Sequence, residues 1–258
     1  MNLPDLHLIG SGRLAYSLAF AWEKVGGQVA TVWSRNTKKG QELARLTGAI
    51  WLEKMDVQRS PGWLMLAVKD EAVQKVSHNL RQQEDLLVLH ASGTLPLAIL
   101  EQHPHNGVLW PLQSMQMEGN DWSVIPLFIE VAQNEDLSTL NRIASLMSDL
   151  LYTVNSRQRL DYHLAAVMAG NFSNALYQVV YTMLSSRGLD PKVLLPQLQA
   201  GLTGLMDEPP AKRQSGPAVR KDAKVMEKHL RVLGGQPDLA VLYQLFSKLI
   251  QQQADSLH

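Results

Sequence analysis

Residues 6–15 read L-H-L-I-G-S-G-R-L-A, and this stretch decides the fold. A short apolar run ends in Gly10-x-Gly12-x-x-Ala15, and an amphipathic segment follows directly. That is the strand–turn–helix context in which a glycine fingerprint marks a dinucleotide site. Gly10 admits the tight turn and Gly12 lets a pyrophosphate approach the backbone. Ala15 stands for the third glycine and is small enough for the helix to lie close to its strand. The N–H groups where the helix starts, around Ser11, Arg13, Leu14 and Ala15, are placed to receive the pyrophosphate. A bare motif of this kind also occurs as a plain structural turn. Its position between a strand and a helix at the opening of the chain favours the nucleotide.

The 258 residues carry 24 Lys and Arg against 24 Asp and Glu, so no bulk field draws the chain to nucleic acid or a membrane surface. There is no cysteine, which removes disulfides, thiolate nucleophiles and Cys-based metal sites and fits a cytoplasmic protein. No secretory leader is expected, and no apolar stretch is long enough to span a bilayer.

Outward from the fingerprint, helical spacing predicts a helix over 14–25, stopped by Gly26-Gly27. Strands are expected at 28–33, 49–52, 63–68, 85–89, 126–131 and 151–154, and a strand or extended loop at 108–114, with helices at 38–46, 71–81 and 136–150 between them and a turn at Pro61-Gly62. This alternation predicts an α/β fold, a Rossmann-type doubly wound, mainly parallel sheet over residues 1–155. After Asn155 the pattern changes to an all-α domain, 156–258. It opens with one unbroken helix over 158–186, continues with a helix at 193–206 and a loop at 208–217, and ends in helices at 223–233 and 239–252.

Several places carry chemistry. The second strand ends in Ser34-Arg35-Asn36, where an NAD site usually holds an acid for the ribose 2′-hydroxyl. Serine and arginine welcome a 2′-phosphate instead, which points to NADP(H); the alternative is an exposed loop arginine. Val68 and Lys69 end the fourth strand, where ligands of open α/β sheets bind. There Lys69 either meets cofactor or substrate or is a surface lysine ahead of a helix capped by Asp70. His90-Ala91-Ser92-Gly93 follows the next strand. His90 could exchange a proton with a substrate oxygen and Ser92 could hydrogen-bond the substrate, or Ser92 could cap a helix over a packed His90. His103-Pro104-His105 invites a metal reading, but Pro104 and Asn106-Gly107 argue for a turn, and no metal is expected. On the long helix, His163, Asn171 and Asn174 either face a cleft or form an interface stripe. Arg220, after Ser215-Gly216-Pro217, is the best of the late basic residues for an acidic group.

Gly10-x-Gly12-x-x-Ala15, L-A-V-K at 66–69, H-A-S-G at 90–93, G-V-L-W-P-L-Q-S at 107–114, H-L-A-A-V-M-A-G-N-F-S-N at 163–174 and S-G-P-A-V-R-K-D at 215–222 together resemble the Rossmann-like NADP oxidoreductases that carry a helical C-terminal domain of unknown function. The resemblance covers nearly the whole chain. It implies an N-terminal NADP-binding domain and a helical domain that commonly forms a homodimer. More distantly the chain is similar to pyrroline-5-carboxylate reductase, ketopantoate reductase and the 3-hydroxyacid dehydrogenases. The last two groups pair a lysine with an asparagine one turn later on the long helix. Here Val167 precedes Asn171 and Gly170 precedes Asn174. That leaves Lys69, His90 or His163 to move protons, or no hydride chemistry at all. The expectation is an NADP(H)-dependent oxidoreductase acting on a small carbonyl, hydroxyl or imine compound between the domains. The rival is an NADP-binding sensor without turnover.

Overall fold

The computed structural model describes residues 3–56 and 61–256. These residues form two compact units, divided between Ala175 and Leu176.

The first unit is built on one eight-stranded sheet. Its strands are β1 (Asp5–Ile9), β2 (Val29–Trp33), β3 (Ile50–Trp51), β4 (Gly62–Leu66), β5 (Leu86–His90), β6 (Asn106–Pro111), β7 (Leu127–Val131) and β8 (Leu151–Thr153). They lie in the order β3-β2-β1-β4-β5-β6-β7-β8. The first six are mutually parallel; β7 runs antiparallel to β6, and β8 pairs parallel with β7. The helices α1 (Arg13–Lys24), α2 (Thr37–Thr47), α3 (Asp70–Asn79) and α4 (Asn134–Ala144) fill the crossovers. Parallel strands covered on both faces read as unbroken apolar runs, and all five residues of β4 and of β5 are buried.

Alternate residues of each strand feed different clusters. Leu6, Leu8, Met65 and Leu89 pack against α1 and α4 through Leu18, Trp22, Leu140 and Ile143. Ile9, Leu64, Leu66 and Val88 pack with Val73 of α3 and Leu100. Trp22 and Trp63 meet at 5.0 Å between ring centroids.

Strand order reverses between β1 and β4. The turn there is held by Gly10 N–H on the Trp33 carbonyl and Ala67 N–H on the Ile9 carbonyl, both 2.8 Å. In open α/β sheets such a reversal opens a crevice at the carboxyl ends of the strands.

The chain then runs through α5 (Ser156–Ala166), a π-helical turn (Val167–Phe172) and α6 (Ser173–Ser185). The expected unbroken α-helix is thus corrected, because one wide turn falls on the segment holding Gly170 and Asn171. Asn155 opens α5 with a capping box, accepting from Gln158 N–H while its own N–H donates to Gln158. The second unit adds α7 (Leu195–Thr203), α8 (Pro210–Arg213), α9 (Ala223–Val232) and α10 (Pro237–Asp255). Three further expectations shift. Gly62 belongs to β4 instead of a turn, Asn106 and Gly107 open β6, and α4 stops at Ala144 well short of Leu150. Pro210 at the first helical position makes a short helix inside the expected 208–217 loop.

One buried ion pair ties the first unit together. Arg159 of α5 is fully buried and bonds Glu130 of β7; its Nε donates to the Ser92 carbonyl at 3.1 Å, and it also reaches the Leu95 carbonyl. Ser156 Oγ completes the carboxylate's shell at 2.9 Å. Removing one partner strands a buried charge, which costs about 3–5 kcal/mol. Arg159→Met is therefore expected to lower unfolding stability by about that amount in urea titration. Arg157→Met, which breaks only an exposed helix pair with Asp161, should change it by less than about 1 kcal/mol.

Candidate functional site

The crevice at the strand reversal is a cleft of about 460 Å3. Gly10, Ser11 and Gly12 line one side, Ser34 and Arg35 come from the end of β2, and Val68 and Lys69 from the end of β4. These predicted cofactor positions therefore share one cavity. Gly10 has φ +131°, and a Cβ there would sit 2.1 Å from the Ala67 carbonyl oxygen. Gly12 is different, since a Cβ built on it meets nothing within 4 Å. No side chain caps α1, whose N-cap is Gly12. Bare N–H groups beside open space suit a pyrophosphate, so these residues fit a dinucleotide. Of the other expected contacts, Ala15 is fully buried against the sheet and serves packing, while Arg13 is exposed outside the cleft lining. Leu14 is also absent from that lining.

The end of β2 is a built loop. Ser34 Oγ meets Ser11 Oγ at 2.7 Å and accepts from Asn36 N–H at 3.2 Å. Asn36 in turn caps α2, accepting from Lys39 N–H at 3.1 Å. Arg35, Lys39 and, from α3, Lys75 line the cleft with exposed side chains. Lys39 and Lys75 were not singled out in the sequence. Lys39 could have been found, because it falls in the first turn of the helix that follows Arg35. Lys75 has no local signal. Lys69 is exposed and lies 3.9 Å from Glu71.

The end of β5 departs from expectation. His90 is fully buried, and its Nδ1 accepts from Ser92 N–H at 3.1 Å. Desolvation, with help from the Arg159 charge, outweighs the Asp70 carboxylate and lowers its pKa to about 4. Such an imidazole is neutral at physiological pH and has no open face, so the geometry gives it packing and loop support. Ser92 is buried too, and its hydroxyl donates to Asp70 at 2.6 Å while accepting from Thr94 and Leu95 N–H. Asp70 also takes Thr94 Oγ1 at 2.8 Å. The expected alternative is a helix cap by Ser92 over a packed histidine; instead Ser92 Oγ holds the N–H groups of Thr94 and Leu95, and the short helical turn at Leu97–Leu100 starts after Pro96 with no side-chain cap.

His163 lies beside that loop. A Cβ on Gly93 would come within 2.7 Å of its Nδ1 and 2.8 Å of the Trp110 ring, so glycine is required for the three to meet. The His163 and Trp110 rings lie 5.8 Å apart. Unlike His90, His163 is only half-buried. It stands at the carboxyl ends of β5 and β6, against Gly93 and Trp110. Asn171 and Asn174 are both exposed, so the amide expected to need a buried partner needs none. His103 bonds Ser77 Oγ at 3.0 Å and His105 pairs with Asp136 at 3.0 Å. Among the described residues no group of three or more His, Asp or Glu is arranged for a metal.

A larger hollow of about 620 Å3 flanks α1 away from the glycine turn. Its buried Ser17 hydroxyl accepts from Trp122 Nε1 at 2.9 Å and Asn120 Nδ2 at 2.8 Å. Ser17, Asn120 and Trp122 thus satisfy one another at that hollow.

An acid-free β2 end beside a bare helix N-terminus defines a dinucleotide-binding protein of the NADP class. The comparisons agree. Residues 5–92 match the model described as NADP oxidoreductase, coenzyme F420-dependent, and residues 125–250 match a domain of unknown function. An NADP oxidoreductase, so named provisionally, from Bacteroides fragilis is 32% identical over 97% of this chain and 98% of its own, with a TM-score of 0.85. The chain belongs to this NADP oxidoreductase family with a C-terminal domain of unknown function. A Thermotoga maritima protein is 25% identical over 97% of this chain and 98% of its own, with a TM-score of 0.72. A reductive aminase from Aspergillus terreus, solved with NADPH and ethyl-5-oxohexanoate, shares the fold at 14% identity, covering 100% of both chains, with a TM-score of 0.76. No curated protein matches the sequence.

Two outcomes follow from this geometry. Gly12→Ala should leave the melting temperature near wild type yet raise the NADPH Kd at least about tenfold, whereas Gly10→Ala should destabilise the fold itself; thermal unfolding and calorimetric titration separate the two. The second concerns acid. The unfolded His90 has the higher pKa, so between about 6.5 and about 4 the unfolded chain binds the extra proton. The stability this histidine contributes is full above that window and lost as pH falls through it, up to about 3 kcal/mol. Urea unfolding of His90→Asn should accordingly depend less on pH across that window than the wild type.

Proposed function

We propose that this chain is an NADP(H)-dependent oxidoreductase acting on a small carbonyl, hydroxyl or imine compound. The observation that carries the reading is the β2 terminus: Ser34 and Arg35, with no carboxylate, face the cleft that Gly10 and Gly12 open. A guanidinium there receives a 2′-phosphate with a planar pair of donors, and Ser34 adds a hydroxyl. The first-turn N–H groups of α1 receive the pyrophosphate. Bound NADP(H) supplies or accepts the hydride.

His163 is the residue we assign to proton transfer, because its half-buried ring stands near the strand ends, beside Gly93 and Trp110. Asn171, exposed on the π-helical turn, is assigned to substrate hydrogen bonding, and Lys69 to the cofactor. Ser92 and His90 hold the loop that His163 leans on. Residues 156–258 serve as the substrate and dimerisation domain. A homodimer is supported by apolar side chains left open on the helices, such as Phe172 at 61% and Met206 at 87% exposure. The absence of cysteine supports a cytoplasmic setting. No helix among the described residues is long and apolar enough to cross a membrane.

The sensor reading has one observation in its favour, Val167 standing one turn before Asn171 in place of lysine. Turnover decides. NADPH oxidation with a panel of small ketones and cyclic imines should be detectable in the wild type. It should fall at least about a hundredfold in His163→Ala, the usual weight of general acid–base help, with the NADPH Kd unchanged. No oxidation across the panel would favour the sensor. Arg35→Ala should lose most of the preference for NADPH over NADH in direct titration, about tenfold or more. An unchanged preference would remove the observation on which the reading stands.

A further inference from the structure

We propose that Lys75 is a cofactor-specificity residue, its ammonium meeting the 2′-phosphate of NADP(H) from the α3 wall while Arg35 meets it from the β2 side. The proposal rests on the NADP(H) reading above. Glu71, Lys75 and Asn79 stand four residues apart along α3 and all line the cleft, with Ala72 and Val76 between them. One face of α3 is therefore a wall of the same cavity that Arg35 and Lys39 enter from the other side.

The charge balance of that cavity points to its ligand. Glu71 is the cleft's carboxylate, and it is already engaged by Lys69 at 3.9 Å. No described carboxylate pairs with Arg35, Lys39 or Lys75. The pyrophosphate belongs to the bare end of α1, so adenosine alone gives these cations nothing to neutralise. A phosphomonoester carries about −1.5 to −2 charges at neutral pH. One guanidinium, with a single positive charge, leaves part of that charge unmet, and flexible ammonium groups can follow it. Lys75 is exposed, so its contribution is modest and weakened by salt.

The experiment is calorimetric titration of the full chain with 2′,5′-ADP and with 5′-ADP, which differ in that one phosphate. The proteins are wild type, Lys75→Gln, Lys75→Arg and Arg35→Ala. Lys75→Gln should weaken 2′,5′-ADP about three- to tenfold, leave 5′-ADP unchanged, and flatten the salt dependence of the former. Lys75→Arg should restore most of the loss. An equal effect of Lys75→Gln on both nucleotides, or none on either, overturns the proposal. If the preference vanishes in Arg35→Ala yet survives intact in Lys75→Gln, the NADP(H) reading stands and Lys75 alone is removed. If the wild type shows no preference for 2′,5′-ADP, both fall together.

Discussion

A carbonyl oxygen occupies the space where a side chain on residue 10 would be. The close approach of Gly10 to Ala67, 2.1 Å from a hypothetical Cβ to that oxygen, lets β1 and β4 sit side by side with the chain turning away between them. Everything that makes a cofactor site depends on it. The strand order reverses there, α1 starts uncapped there, and the ends of β2 and β4 are brought to one cleft. Glycine is demanded twice over, by space and by a positive φ.

The second constraint is electrostatic. Arg159 and Glu130 are buried together, and the guanidinium also holds the carbonyls of Ser92 and Leu95. That arrangement fixes the loop after β5 and helps to keep His90 neutral beneath it. The histidine that the sequence marks most plainly for proton transfer is thereby fully buried. The less conspicuous one, His163, is only half-buried. Burial distinguishes the two rings, and burial of a single polar residue after a strand leaves no trace in spacing or composition.

The layout of the first unit was legible because its signals are local. The fingerprint, the apolar strands and the gaps between them give the doubly wound sheet, and the Ser34-Arg35 that the sequence singles out does line the cleft. What failed were features set by tertiary contact or by small energy differences. The π-helical turn around Gly170 replaces an α-helix that periodicity alone continues. Pro210, inside the expected 208–217 loop, starts a short helix because its missing N–H is harmless at the first position. Lys75 went unnoticed because only the fold brings α3 opposite the end of β2. Ser92 was read both ways, and the Asp70 carboxylate, twenty-two residues away in the chain at 2.6 Å, settles its hydrogen bond.

The most direct test of the account is a crystal structure of the protein grown with NADPH. The account predicts the pyrophosphate on the first-turn N–H groups of α1 and the 2′-phosphate within hydrogen-bond distance of Ser34 and Arg35. A nucleotide bound elsewhere, such as in the hollow beside Ser17 and Trp122, or bound with its 2′-phosphate turned away from Arg35, would contradict it.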